Sequence, residues 1–302
     1  MAFYGGSFTA LRPVEQESLL RAVRPFVDEG MIDGLRVSTR PDAIDRRRLD
    51  LLRRYSVQTV ELGAQSMVDQ ILQTCERGHS SGDVVRSVGL LRSMGFEVGI
   101  QIMLGLPGED MDLFLTTVRR VIGLDPDCVR IYPLLVLSGS PLEGLWREGL
   151  YAPIPLHEAV KWAKEALRRF EQARIPVIRM GLQATPGLQD GETIVAGPYH
   201  PAFRSLVESS IFYDVACRLL EAWDERAGQR ARFRIAPGDL ANFKGQRKEN
   251  VARLRDAHGL ESVEVLSDPG IPKGGLVLET ARGFLVGSRK DPGIESLPRD
   301  RR

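Results

Sequence analysis

The sequence predicts an α/β fold: an open or partial barrel around a parallel sheet, continued by a helical segment and a small α+β C-terminal domain. Three observations carry this. Strand-like and helix-like runs alternate through the first half of the chain, which calls for right-handed crossovers between parallel strands. That half is too short for a closed eight-unit barrel, which takes about 250 residues. From Arg232 onward the alternation stops and short β-like runs take over.

Residues 2–4 are strand-like and run into Gly5-Gly6. Residues 15–26 show helical periodicity, with Leu19, Leu20, Val23 and Phe26 on one face. Residues 35–38 form the next strand, and 45–55 the next helix, with Asp45 placed to cap or charge its first turn. Residues 59–62 are a strand and 68–75 a helix; Ser81 is placed to cap a helix over 82–94. Residues 98–104 are a strand closed by Gly105-Leu106-Pro107-Gly108, 112–122 a helix, and 129–135 a strand running on towards Ser138-Gly139-Ser140. Pro153 and Pro155 mark a boundary. Residues 156–173 carry Ala159, Trp162, Ala163, Ala166, Leu167 and Phe170 at helical spacing. Residues 175–180 suit a sixth strand, 181–200 a long Gly- and Pro-rich loop, and 201–223 a further helix. In the tail, β-like runs at 233–236, 262–266 and 276–278 surround one helix near 250–257. The expected domains are 1–150, 151–230 and 231–302.

Composition excludes little. With 41 basic and 40 acidic residues the net charge is +1, so only a local patch would attract nucleic acid. A basic stretch comprises Arg226, Arg230, Arg232, Arg234, Lys244, Arg247, Lys248, Arg253 and Arg255, with Asp224, Glu225, Asp239 and Glu249 interspersed. It reads first as a solvated surface and second as a phosphate-contacting patch for RNA. No apolar run approaches the roughly 20 residues of a membrane span. The N-terminus lacks signal-peptide character, so a cytoplasmic location is expected. Cys75, Cys128 and Cys217 fit neither a disulfide framework nor metal-ligand spacing; they are expected to be small buried residues.

Ligands of parallel α/β folds bind at the carboxyl ends of the strands. There the chain places Gly5-Gly6-Ser7-Phe8-Thr9, then Thr39-Arg40-Pro41-Asp42, then Glu61 with Gly63-Ala64-Gln65-Ser66, then Gln101 with Gly105-Leu106-Pro107-Gly108-Glu109, then Pro133 and Ser138-Gly139-Ser140. Glycines let backbone groups approach a ligand. Arg40 suits a carboxylate or phosphate, and Glu61, Gln65 and Gln101 suit ribose hydroxyls or an amino group. The mouth fits a polar, nucleoside-like ligand. Each motif alone is also an ordinary connector: Gly-Gly a turn, Gly-Leu-Pro-Gly a strand-to-helix link, Glu61 a satisfied buried carboxylate, Arg77 and His79 part of a surface loop. Their order along one rim favours the ligand.

In that order, Phe3-Tyr4-Gly5-Gly6-Ser7-Phe8-Thr9, Ser38-Thr39-Arg40-Pro41-Asp42, Val60-Glu61-Leu62-Gly63-Ala64-Gln65-Ser66, Arg77-Gly78-His79 and Gly99-Ile100-Gln101-Ile102-Met103-Leu104-Gly105-Leu106-Pro107-Gly108-Glu109 resemble the radical S-adenosylmethionine (SAM) superfamily. Within it they look like the Elongator catalytic subunit and its bacterial relatives and, more distantly, oxygen-independent coproporphyrinogen III oxidase. The resemblance covers roughly residues 2–140. It implies a partial (β/α)6, TIM-like barrel missing its first strand here. It implies SAM as cofactor, with Gly5 and Gly6 (beside Ser7) at the amino group and Gln65 and Gln101 at the ribose. Arg77 would meet the carboxylate, Gly105 to Pro107 the adenine, and Arg40 and Glu61 the barrel interior. It implies a 4Fe–4S cluster, radical chemistry on a substrate with tRNA leading by analogy, and an electron donor such as flavodoxin or ferredoxin. The family's CxxxCxxC loop does not occur in the chain; it is expected upstream of Met1, with the first strand. The alternatives are a non-catalytic SAM- or nucleotide-binding protein and an RNA-binding scaffold. No acetyl-CoA loop is seen in the tail. Gly187-Leu188-Gln189-Asp190-Gly191-Glu192, Gly197-Pro198-Tyr199-His200-Pro201 and Phe243-Lys244-Gly245-Gln246-Arg247-Lys248-Glu249-Asn250 look like the extension of shorter bacterial members.

Overall fold

The computed structural model describes residues 1–182, 193–223 and 229–298. They fall into two compact units, one from residues 1–162 and 169–199, the other from 163–168 and 200–302.

The first unit runs β1 (Ala2–Phe3), α1 (Pro13–Asp28), β2 (Leu35–Thr39), α2 (Arg46–Arg54), β3 (Val57–Gln65), α3 (Asp69–Thr74), α4 (Ser81–Ser93), β4 (Glu97–Leu104), α5 (Met111–Gly123), β5 (Cys128–Pro133), β6 (Val136–Leu137), α6 (Pro141–Arg147), α7 (Leu156–Gln172), β7 (Val177–Met180) and β8 (Ile194–Ala196). Six strands form one all-parallel sheet in the order β1-β2-β3-β4-β5-β7. This is the partial barrel the alternation predicts, and β7 is its sixth strand.

One face of the sheet is apolar. Val37, Val60, Leu62, Val98, Ile100, Ile102, Val129 and Ile131 are at most 1% exposed and lie beneath the helices. Each such side chain contributes about 1.5–3 kcal/mol on leaving water. The other face alternates with it: Arg36 and Ser38, Glu61, Gly63 and Gln65, Gly99, Gln101 and Met103, then Arg130 and Tyr132. On β2 and β5 these positions are only half-buried, as the concave side of an unclosed barrel requires. Short side-chain caps start the helices. Asp45 accepts from Arg48 N and Asp110 from Leu113 N. Ser80, one residue before the expected Ser81, forms a reciprocal capping box with Asp83.

Other expectations are corrected. On α1, Leu20 and Val23 are buried, but Leu19 and Phe26 are 41% and 46% exposed. The sheet ends in the two-residue edge strand β1, which offers α1 little surface to cover. The fifth strand stops at Pro133, which has no N–H for a ladder. β6 pairs antiparallel with β8 instead, so a strand lies inside the loop expected over 181–200. Residues 183–192 of that loop, including all of the first tail motif (187–192), are outside the described residues. Of the cysteines only Cys128 is buried; Cys75 and Cys217 are half-buried.

The second unit holds α8 (Phe203–Glu221), β9 (Arg230–Ile235), α9 (Leu240–Lys244), α10 (Glu249–Ala257), β10 (Ser262–Ser267), β11 (Gly275–Glu279), β12 (Gly283–Ser288) and β13 (Ile294–Pro298). Its sheet has the order β10-β9-β11-β12-β13. α8 packs on β11 and β12 through a buried stripe that includes Val207, Ile211, Val215 and Leu219. A Cβ at Gly287 would stand 3.1 Å from Val215, so glycine there lets helix and sheet approach. The tail is α+β as expected but carries two helices rather than one and two further strands. α9 is only five residues long, and β13 is exposed throughout, so neither leaves a periodic apolar signature.

Candidate functional site

The carboxyl ends of β1 to β5 carry the residues that the sequence singles out. Gly5 and Gly6 have φ of 105° and 149°, a region that side chains avoid. Space around both is open, so their backbone is presented to whatever occupies the rim. Ser7 follows and opens a short turn through its carbonyl, which accepts from Ala10 N.

A register shift between Gly63 and Gln65 interrupts the pairing of β3 with β4. Gln65 takes φ of 63°, and a Cβ at Gly63 would approach its amide to 3.0 Å. The bulge thus re-aims Gln65. Gln101, from β4, donates to Gln65 Oε1 at 3.4 Å. The two glutamines therefore meet across neighbouring strands.

Arg40 and Arg77 converge from different connections. Arg40 grips Asp42 with two bonds, 2.9 and 2.7 Å. Its outer nitrogen lies where a Cβ on Gly78 would come within 2.8 Å, so glycine beside Arg77 makes room for it. Arg77 is half-buried and its Nε is buried without a hydrogen-bond partner. Burial and then the Arg40 charge hold it below the usual arginine range. Next to it, His79 donates from Nε2 to Ala64 O at 3.1 Å, while Nδ1 has no partner among the described residues.

The Gly105 to Gly108 connection is braced from below. Gly105 (φ 80°) and Leu106 donate their N–H groups to Glu109 Oε2, at 3.0 and 3.2 Å. Tyr151 donates to Gly105 O at 2.8 Å. Pro107 in this turn is half-buried. Glu109 Oε1 is buried and unpartnered. Burial pushes the Glu109 carboxyl up to about 8, so it is largely protonated near neutrality and serves as a neutral brace.

Glu61 does not stand free. On the concave face it pairs with Arg36 Nη1 at 2.5 Å and Arg130 Nε at 2.8 Å. Tyr4 bonds to both Glu61 and Arg130, and the Arg130 guanidinium lies over its ring, 4.9 Å from the centroid. Gly99, between them on β4, leaves the crossing open: a Cβ there would stand 2.8 Å from Glu61 Cγ. Sequence reasoning missed Arg36, Arg130 and Tyr151, and it gave Tyr4 and Glu109, though both lie in its motifs, no role. The first two had a signal: arginines alternating with apolar residues inside strands face an open side.

Among the described residues, no three His, Cys, Asp or Glu side chains converge as metal ligands. No described helix is long and apolar enough to cross a membrane.

The chain is similar to known proteins over much of the first unit. The tRNA uridine(34) acetyltransferase of Methanocaldococcus jannaschii is 33% identical over 128 residues, covering 41% of this chain and 24% of that protein. Protein YhcC of Escherichia coli K12 is 34% identical over 158 residues, 51% of each chain. The chain thus spans about a quarter to a half of the length of these relatives. Among solved structures, Elp3 of Methanocaldococcus infernus with an N-terminal deletion covers 94% of this chain and 67% of its own. It has a TM-score of 0.56 and 21% identity, which shows a shared fold. The radical SAM superfamily profile matches residues 1–121, and the radical SAM C-terminal domain profile matches residues 126–212. With the half-barrel and its ordered rim motifs, these consecutive matches establish that the chain belongs to the radical SAM superfamily.

Proposed function

We propose that the rim binds SAM, and that the enzyme built on this core cleaves SAM reductively to begin radical chemistry on tRNA. One observation carries the binding reading: Arg77 has a buried, unpartnered Nε beside a second guanidinium, on the rim where Gln65 and Gln101 meet. Leaving such a donor unpaired is costly, and a carboxylate offers the planar acceptor a guanidinium fits. Arg77 would hold the methionine carboxylate, with Arg40 adding positive charge. The backbone of Gly5, Gly6 and Ser7 would meet the amino group. Gln65 and Gln101 would hold the ribose, and Gly105 to Pro107 would face the adenine, kept in shape by Glu109 and Tyr151. Glu61, bound by two arginines, shapes the interior in which substrate would sit.

SAM, once bound, would supply the 5′-deoxyadenosyl group for radical chemistry, with a flavodoxin- or ferredoxin-type protein as the electron donor that the superfamily resemblance implies. The 4Fe–4S cluster of the superfamily finds no ligand set among the described residues. What these residues do is bind, orient and shield the cofactor. tRNA as substrate draws its support from the curated relatives named for tRNA uridine(34).

Calorimetric titration tests the binding. SAM and 5′-methylthioadenosine, which lacks the methionine carboxylate, are titrated into the chain and its Arg77→Ala variant. The variant should lose roughly 10- to 100-fold in SAM affinity, the equivalent of a charge-assisted pair, and nothing for methylthioadenosine. Equal losses for both ligands, or no SAM binding by the parent chain, would sink the assignment.

A further inference from the structure

The basic stretch of the C-terminal unit divides into two parts that differ in charge balance. On β9, Arg230 pairs with Glu261 at 2.8 Å, Arg232 with Glu264 at 2.7 Å and Arg234 with Glu279 at 2.5 Å. Further on, Arg255 pairs with Asp256, and Arg253 stacks on the Tyr213 ring. These arginines are charge-matched except Arg253, whose partner is a neutral ring, and Arg226 lies outside the described residues. Lys244, Arg247 and Lys248 have no ion-pair partner among the described residues. They lie within five positions of each other, with Glu249 the one acid beside them.

The backbone presenting them is held in an unusual shape. Arg247 and Lys248 both take left-handed φ values, 49° and 62°, a region cheap for glycine or asparagine and unfavourable for long side chains. Packing enforces it. Asn250, 4% exposed, donates to Ser209 O, Ser209 Oγ and Phe243 O at 2.9 to 3.0 Å. A Cβ at Gly245 would press on Ser209 Oγ at 3.0 Å. Strain that the surroundings enforce, at exposed cations, is the pattern of a functional position. Gln246 adds an amide and imidazole pair with His200 at 3.2 Å. The turn has no apolar side chain between Lys244 and Asn250, so it offers nothing to an apolar peptide or a lipid interior.

We propose that the turn from Lys244 to Lys248 is a phosphate-contacting surface for RNA. Phosphate oxygens are recognised by cations and polar donors alone, which is what the turn provides. The choice of RNA rests on the tRNA reading above; the unmatched charge and the strained backbone stand without it.

The test is the anisotropy of a labelled, unmodified tRNA transcript titrated with the chain over a range of salt. The Arg247→Asn/Lys248→Asn variant should bind roughly tenfold more weakly. Its log–log salt slope should be shallower by about 1.5, near 0.7–0.9 per lost phosphate contact. Its unfolding midpoint should hold or rise, because asparagine tolerates left-handed backbone. Arg232→Gln, from the matched ladder, should bind as the parent does. Parent binding left unchanged in the double variant overturns the site and leaves the tRNA reading standing. Absent parent binding overturns the inference, and SAM titration then reports on the rim separately. A fall in the unfolding midpoint assigns the two side chains to structure and overturns it too. Displacement by polyglutamate as effectively as by RNA gives the turn to an acidic polypeptide instead.

Discussion

Replacing Glu109 by glutamine should abolish a pH dependence of stability that the wild-type chain carries. The Glu109 carboxyl titrates near 8 in the fold against an ordinary 4.5, burial being the main cause, partly offset by the N–H groups of Leu106 and Gly105. A raised folded-state value means that the native protein holds a proton which the unfolded chain has released. Its stabilisation is therefore complete below about pH 4.5 and is lost as pH rises towards 8. Each unit within that window costs about 1.4 kcal/mol, so the whole interval costs on the order of 4–5 kcal/mol. Glutamine keeps the acceptor for Gly105 and Leu106 and has no proton to lose. Urea unfolding at pH 5, 6, 7 and 8 measures this. A Trp223→Phe background leaves Trp146 and Trp162, both in the first unit, as reporters. The wild type should weaken steadily across the series while Glu109→Gln stays nearly flat and becomes the more stable of the two by pH 8. Parallel curves would show that Glu109 ionises normally and that the brace beneath the Gly105 turn is not a neutral acid.

Two further substitutions probe each unit by itself. Gly99→Ala forces a methyl against Glu61 Cγ, 2.8 Å away, and Cys128 Sγ, 3.2 Å away; a loss of about 1–3 kcal/mol is expected for overpacking, read as a lower urea midpoint. Asn250→Ala removes three donated bonds from one buried amide and strands their acceptors, which should cost roughly 2–3 kcal/mol. In the same variant, amide exchange of Lys248, whose N–H is bonded to Gly245 O, should accelerate.

The rim was legible because its signals are local. Gly5-Gly6, Gly105 and the polar residues ending each strand lie next to the strands that present them, and parallel crossovers place strand ends together whatever the loops do. The Glu61 network was not legible in the same way. Arg36, Glu61 and Arg130 are separated by 25 and 69 residues, and only the register of β2 to β5 makes them neighbours. The α1 stripe misled because periodicity identifies a candidate face, whereas burial depends on what lies opposite, here a sheet edge two residues long. The basic run of the tail looked uniform as a string. Pairing across β9, β10 and β11 separates its matched arginines from the unmatched turn.

By itself, then, the sequence determined the parallel half-barrel, the order of the rim motifs and the superfamily, since all follow from short-range periodicity and from residues adjacent to their strands. The tertiary structure decided which charges are satisfied. Among the described residues, Glu61 is held by two arginines, Arg77 keeps an unpartnered donor, burial raises the Glu109 carboxyl, and Lys244, Arg247 and Lys248 stay without an ion pair. Charge pairing and desolvation depend on distances of a few ångströms between segments far apart in the chain, and only folding sets those distances.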